Sequence, residues 1–344
     1  MKPLPDTKAE EKVLVCPACG GEIGAEVIDS YHGYKLYHCH ACDLMFWHPV
    51  KGAASEWYET FYGAPIDLTP HKPAQVLWAQ NQFLKDIPAQ GGRLLDIGCG
   101  VGDFLFYAQK AGYSVTGIDF SLKFVEIARR RFGFDEVYPW TLEDFVAKKP
   151  DTKYDVITFF ELLEHLDNVG DFLHLVKKRL KSGGYVACSV PDRDRWRFLS
   201  RWLLSHVSQE RDYPPHHLTR WNPDALANFF NSYGFSILAI KREPPIFSSL
   251  RSLGYGGWLV SSELGIQKLG IIFAKRVGGE GANQASTPQR SILGTIKGMV
   301  IKWGGKLYYK ALVPLLGLVV LPLWLLLRRQ GASIYLIATM KEAT

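Results

Sequence analysis

Leu94-Leu95-Asp96-Ile97-Gly98-Cys99-Gly100-Val101-Gly102-Asp103 joins an apolar strand to a helix through three alternate glycines. This predicts a loop built to hold a ligand. Glycine adopts positive φ and lets the backbone approach a bound molecule, while the free N–H groups opening the next helix favour an anionic group. The spacing is G-x-G-x-G, with Asp103 where a dinucleotide fingerprint carries its third glycine and an acid, Asp96, two positions before the first. A dinucleotide loop is therefore disfavoured. A second element follows at Tyr113-Ser114-Val115-Thr116-Gly117-Ile118-Asp119, a β-rich run closed by an acid and then by Phe120 and Ser121. Residues 103–111 between them read as a helix ending at Gly112, which completes a strand-helix-strand unit with Asp119 at the carboxyl end of its second strand.

Asp96 followed by Gly98, Gly100 and Gly102 resembles the first motif of the class I S-adenosylmethionine (SAM)-dependent methyltransferases. The resemblance implies a Rossmann-like, seven-stranded α/β sheet with SAM as cofactor. It places Asp96, Gly98, Cys99, Gly100, Gly102, Asp119, Phe120 and Phe160 at the cofactor, and Glu143 or its neighbour Asp144 at the adenine amino group. The chemistry agrees with the departure from the dinucleotide pattern. SAM has no pyrophosphate; a carboxylate beside the loop suits its ammonium, helix N–H groups suit its carboxylate, and Asp119 can accept from both ribose hydroxyls. Ser121 is better placed to cap the helix Leu122 to Arg131, and Phe134 to Tyr138 reads as a third strand.

Tyr154 to Phe160 is a fourth strand that runs directly into Glu161-Leu162-Leu163-Glu164-His165-Leu166. The carboxyl ends of parallel strands line the ligand crevice, and E-x-x-E-H gathers two carboxylates and an imidazole within one turn. Ubiquinone-pathway O-methyltransferases carry a similar E-x-x-E-H. That likeness implies a divalent metal on Glu161, Glu164 and His165; the alternatives are His165 as general base toward a phenol or hydroxyl, or a histidine that only shapes the loop. Asp167 to Leu180 reads as a helix with a basic end, stopped by Gly183-Gly184, and Tyr185 to Val190 as the fifth strand. A basic, aromatic connection, Pro191 to Pro215, leads into Pro215-His216-His217-Leu218-Thr219-Arg220-Trp221-Asn222-Pro223, where Asn222 caps and Pro223 opens a helix ending near Gly234. Relatives often carry a histidine just before this helix, which makes His216 and His217 further candidates for catalysis or substrate contact, with loop packing as the alternative. Phe235 to Ile240 is the sixth strand, and its antiparallel partner is found only at Ala332 to Lys341, so roughly 90 residues are inserted between the last two strands, too many for a plain loop.

Cys16-Pro17-Ala18-Cys19 and Cys39-His40-Ala41-Cys42 are two C-x2-C knuckles separated by 19 residues. Their spacing suits a tetrahedral zinc ribbon with ligands Cys16, Cys19, Cys39 and Cys42, a closed shell that makes the zinc structural or substrate-guiding and not catalytic; disulfides are the alternative. Gly20-Gly21 lets backbone N–H groups face the sulfurs, and Cys99 and Cys188 read as buried small residues. A ribbon followed by an aromatic stretch and a SAM domain resembles a bacterial zinc-ribbon methyltransferase group, some of which act on sugars. The large C-terminal α/β domain of the C-methylating members is missing here.

The 344 residues, 47% apolar, suffice for one full α/β domain plus additions, and a net charge of +6 does not by itself imply nucleic acid, for which there is no base-reading module. The domains expected are a ribbon at 1–50, an aromatic linker and cover at 51–90, the SAM domain at 91–243 with 331–344, and an apolar insertion at 244–330. Met1 to Val15 has no apolar signal core, which predicts a cytoplasmic setting. Within the insertion, Ala311 to Leu327 is 17 residues without charge, interrupted by Pro314 and Pro322 and flanked by Lys302, Lys306, Lys310, Arg328 and Arg329. That pattern predicts peripheral or monotopic attachment to anionic lipid on the inner membrane face; a lid or dimer contact is the alternative, and the oligomeric state is open. The function expected is methyl transfer to an oxygen of a lipid-linked or amphipathic acceptor, either a polyprenyl phenol or quinol or a glycan precursor. Sugar N- or C-methylation and a catalytically silent SAM-binding module are the alternatives.

Overall fold

The computed structural model describes residues 13–53, 73–74, 76–87, 91–195, 212–244 and 332–340. The chain divides into two compact units, Met1–Glu243 with Ala332–Thr344, and Pro244–Gly331; apart from Pro244 the described residues all belong to the first.

The strands are β1 (Asp29–Tyr31), β2 (Tyr34–His38), β3 (Met45–His48), β4 (Arg93–Ile97), β5 (Ser114–Ile118), β6 (Val137–Tyr138), β7 (Tyr154–Phe160), β8 (Leu180–Pro191), β9 (Thr219–Arg220), β10 (Phe235–Arg242) and β11 (Ser333–Met340). The helices are α1 (Trp78–Asp86), α2 (Asp103–Lys110), α3 (Leu122–Phe132), α4 (Leu142–Lys148), α5 (Val169–Arg179) and α6 (Pro223–Ser232), with a 3-10 turn at Leu163–His165. Seven strands form one sheet in the order β10-β11-β8-β7-β4-β5-β6. β4 to β8 run parallel and β11 is antiparallel to both its neighbours. This is the Rossmann-like class I methyltransferase sheet that the sequence predicts.

Side chains alternate across a strand, so both faces of a central parallel strand must be apolar. Leu94 of β4 enters one core with residues of α1, α2 and α3, whereas Leu95 and Ile97 enter the other with residues of α4, α5 and α6. The second core also takes in Cys16, Tyr37, Cys39 and Phe46, so the cysteine knuckles are packed on the α/β body. A four-stranded sheet β1-β2-β3-β9 explains this: Phe46 pairs with Thr219 and Met45 with Arg220. Two residues are too few to show strand periodicity in a sequence.

Local chemistry sets the boundaries. Ser121, Asn168 and Asn222 cap α3, α5 and α6 through Phe124, Asp171 and Ala225 N–H groups, and Pro223 opens α6. α5 begins at Val169 because Asn168 takes the cap, while Asp167 accepts from Gly52 N at 2.7 Å. Gly183-Gly184 does not stop that helix as expected: α5 ends at Arg179, and both glycines lie within β8. A Cβ on Gly184 would stand 2.9 Å from the Asp155 carbonyl, so glycine permits a close approach of β8 to β7. The third strand is shorter than read, because Phe134 turns into the core beside Phe132.

Candidate active site

The glycine loop closes the carboxyl end of β4. Gly98, Gly100 and Gly102 have φ of +76°, +54° and +82°, the left-handed region that side chains avoid. Gly98 N and Cys99 N donate to Ile118 O at 2.8 and 3.0 Å, and Gly102 N donates to Cys99 O at 3.1 Å. The three glycines meet different surroundings. A Cβ on Gly98 would press on Leu162 at 3.3 Å and one on Gly102 on Ala128 at 2.9 Å, but one on Gly100 would meet nothing within 4 Å. The loop is thus packed at both ends and open in the middle, as a ligand cradle requires. Asp103 at the start of α2 accepts from Ala74 N at 2.8 Å and pairs with the buried Arg131 at 2.9 Å.

Two buried acids flank the opening. Asp96 accepts from Thr158 Oγ1 at 2.6 Å, and burial, with Asp119 adding to it, pushes its carboxyl up to about 7. Asp119, also raised by burial, accepts from Gly100 N and Ser121 N at 2.9 Å each, leaving further lone pairs on both oxygens. Phe120 is 45% exposed beside it. The Cys99 thiol is buried near Gly100 O, and Phe160 is buried edge-on to Phe104 at 5.0 Å. Glu143 and Asp144 are exposed on the first turn of α4, next to Trp140, which stacks on Tyr138 at 4.3 Å. Those two aromatic rings at the end of β6 went unnoticed in the sequence, although Tyr138 and Trp140 stand at its predicted third-strand end.

The E-x-x-E-H motif lies at the end of β7 and splits in two. Glu161, at φ +52°, donates its N–H to Ser189 O and accepts from Ser189 Oγ at 2.7 Å. Glu164 is 1% exposed and its Oε2 has no hydrogen-bond partner among the described residues; burial and then Glu161 raise its carboxyl well above the usual range. Among the described residues, Glu161, Glu164 and His165 are not grouped as ligands whose atoms all lie within 4.8 Å of one another. His165 meets His216 and His217 instead, with ring centroids at 4.6 and 4.9 Å, and the latter two stack at 4.4 Å. His165 Nδ1 lies 2.6 Å from His216 O, so that nitrogen carries the proton, because a carbonyl only accepts. Burial, then His216, holds the His165 imidazole down to about 4. His217 is pushed well below its ordinary range by burial and then by the two neighbouring histidines.

A methyltransferase-domain family model matches residues 74–240, the span that carries both glycine loop and histidines. The ubiquinone biosynthesis O-methyltransferase of Schizosaccharomyces pombe mitochondria is 30% identical over 157 residues, 44% of this chain and 57% of that protein. That of Burkholderia orbicola strain MC0-3 is 30% identical over 156 residues, 44% of this chain and 67% of that protein. The chain belongs to the SAM-dependent methyltransferases. The matched stretch thus spans little more than half of the first relative's length. A SAM-dependent methyltransferase of known structure from Archaeoglobus fulgidus aligns over 83% of this chain and 99% of its own at 16% identity, with a TM-score of 0.43.

In this methyltransferase the cysteine knuckles reach the histidines through β9. Cys16 Sγ and Cys42 Sγ are 3.6 Å apart, as are Cys19 Sγ and Cys39 Sγ, and all four sulfurs lie within 4.8 Å of one another. A tetrahedron of 2.3 Å zinc–sulfur bonds needs sulfurs about 3.8 Å apart, so the four cysteines can hold such an ion. From β3, Trp47 N donates to Leu218 O at 2.8 Å, and Leu218 N donates to Glu164 O at 2.7 Å. The Arg220 guanidinium lies over Trp47 and Tyr213, at 5.2 and 4.7 Å from their centroids, and Tyr213 donates to Asp29 of β1. The sequence gives no sign that Trp47, Tyr213 and Arg220 meet, because no periodicity ties them together.

Proposed function

We propose that this methyltransferase transfers the methyl group of SAM to an oxygen of a lipid-linked or amphipathic acceptor, a polyprenyl phenol or quinol or a glycan precursor. The observation that carries the reading is that the carboxyl ends of the parallel strands carry the open glycine loop and two buried acids after β4 and β5, and His165, grouped with His216 and His217, on the turn after β7. SAM supplies a methyl on a cationic sulfur, already activated for in-line transfer.

The residues divide the remaining work. Asp96 serves an ammonium, Asp119 the ribose hydroxyls and the loop around Gly98, Cys99, Gly100 and Gly102 the close backbone approach, with Phe120, Phe160 and Glu143 as further cofactor neighbours. His165, His216 and His217 receive the acceptor oxygen, whose proton is lost at this cluster; Glu164 and Glu161 lie behind it. The ubiquinone-pathway names of the relatives support an oxygen on a quinol-like ring. The four cysteines hold a structural zinc that keeps β3, and so β9, in place.

The lipid-facing part of the proposal rests on the sequence. Ala311 to Leu327 lies outside the described residues, among which no helix is long and apolar enough to cross a membrane. The flanking lysines and arginines suit anionic headgroups, which supports attachment at the inner face without spanning it.

The test is turnover with radiolabelled SAM and a membrane extract. Label in a lipid or glycan fraction, identified by mass, supports the proposal and distinguishes an oxygen from a nitrogen or carbon acceptor. Cofactor binding with no label in any fraction overturns it in favour of a silent module. His165→Ala should lower kcat about 10²- to 10⁴-fold with SAM affinity unchanged.

A further inference from the structure

We infer that Arg220, held against the rings of Trp47 and Tyr213, is the receptor for an oxyanion, a carboxylate or a phosphate, carried by the methyl acceptor. Arg193, Arg195 and Arg242 each lie against a carboxylate, that of Asp43, Asp212 and Asp192 respectively. Arg220 forms no ion pair among the described residues. The Asp212 carboxylate is taken by Arg195 and lies 3.7 Å from His217 Nδ1, and Asp29 accepts from the Tyr213 hydroxyl. The hydrogen-bond acceptors of Arg220 are two neutral oxygens, Asp212 O at 3.2 Å and the Tyr213 hydroxyl.

A guanidinium so placed is costly. Burial holds it below the ordinary arginine range, and the electron-rich faces of Trp47 and Tyr213, at 5.2 and 4.7 Å, offset the unpaired charge only in part. The same faces orient its planar fork of five N–H donors, which two neutral oxygens do not exhaust. A second, independent observation lies in the ring beside it. Trp47 is fully buried, yet its Nε1 has no hydrogen-bond partner among the described residues. Buried donors in native proteins are bonded, so an orphan N–H beside an unpaired cation calls for an acceptor that carries negative charge. A neutral ring could stack here, but it would answer neither the charge nor the N–H. The receptor adjoins the histidines: Arg195 and Arg220 both act on His217, and Leu218 joins Trp47 to Glu164 through two backbone hydrogen bonds. The inference rests on the reading of those histidines as the acceptor side. Within that reading it selects an acceptor with an anionic group over a neutral phenol or quinol.

The test follows the Trp47 indole N–H by NMR in the full chain with zinc supplied, its signal among the ten tryptophans being the one lost in Trp47→Phe. The titrants are inorganic phosphate, acetate, and chloride at matched ionic strength. A saturable shift is expected with phosphate or acetate at about millimolar concentration and none with chloride; the tighter of the two identifies the anion. Arg220→Gln should abolish the shift and Arg220→Lys, which keeps the charge and loses the fork, should weaken binding about tenfold, both with SAM affinity unchanged. No saturable shift with either oxyanion, an equal shift with chloride, or wild-type affinity in either variant overturns the inference. If Arg220→Gln does not fold, the wild type and Arg220→Lys decide. The second arm passes the methyl-labelled product from a membrane extract over an anion exchanger. Retention supports the inference, whereas an unretained product overturns it and leaves the proposed methyl transfer standing. A phosphate or acetate shift with no labelled product would keep the oxyanion site and sink the transfer.

Discussion

Asp96, buried near the carboxyl end of β4, has its carboxyl near 7 because burial penalises the charge, and the hydrogen bond from Thr158 only partly offsets this. The folded value is raised above the ordinary 3.8, so between about 3.8 and 7 the unfolded chain has lost a proton that the folded chain keeps, and stability falls across that window as pH rises. A cation beside the carboxyl reverses the preference. SAM affinity should therefore rise as pH goes from 6 to 8, at most about tenfold per unit below the midpoint, and Asp96→Asn should abolish both the affinity and its slope; calorimetry across pH checks this. The glycines give a second residue-scale contrast. Gly102→Ala combines a left-handed φ with a 2.9 Å clash on Ala128 and should cost about 2–4 kcal/mol of stability, read by denaturant unfolding. Gly100→Ala should cost only about 1–2 kcal/mol, since its Cβ enters open space, yet on the proposed cofactor site it should weaken SAM binding. The loop and its acid were legible in the sequence: a G-x-G-x-G with an acid before it is local, and its neighbours in the chain are its neighbours in space.

At the level of elements, the informative piece is the short β9 strap between the ribbon strand β3 and the 3-10 turn that carries Glu164 and His165. The second knuckle is tied to the same region. Asp43, next to Cys42, accepts from Arg193 Nη2 at 2.8 Å and Asn222 Nδ2 at 2.6 Å, and lies 2.6 Å from His38 Nε2. Asp43→Ala would leave the mostly buried Arg193 without that carboxylate and release the cap residue of α6. We expect a loss of about 1–3 kcal/mol in denaturant unfolding, and a fall in kcat larger than the change in SAM affinity, because β9 and not the glycine loop is loosened. An equal loss in both would show that the ribbon braces the whole body and not the histidine side. Helix caps at Ser121 and Asn222 were readable from sequence, since a cap is a contact across three residues. The β9 pairing was not, because a two-residue strand has no period and its partner lies about 170 residues earlier.

For the whole molecule, the decisive register is that of β10 with β11. Arg242 pairs with Ile334, and Glu243 N donates to Ser333 O, so the segment between them leaves and re-enters the sheet at one point. Replacing residues 245–331 with a short hairpin turn should keep the seven-stranded sheet, leave the melting temperature within a few degrees and SAM affinity within about threefold. It should abolish flotation with anionic vesicles, which the full chain is expected to show; vesicle binding by the shortened chain would place the lipid contact elsewhere. The sequence by itself determined the strand-and-helix alternation, the glycine loop with its two acids, the cysteine knuckles and the late return of the last strand. Each of these is written in the spacing of a few neighbouring residues or in a repeat of period 2 or 3.6. Only the tertiary structure decided that β9 completes the ribbon sheet, that Glu161 turns to Ser189, and that three histidines rather than the E-x-x-E-H triplet converge. Those contacts are chosen by which buried surfaces can close against each other once the sheet is formed, and no local spacing encodes that choice.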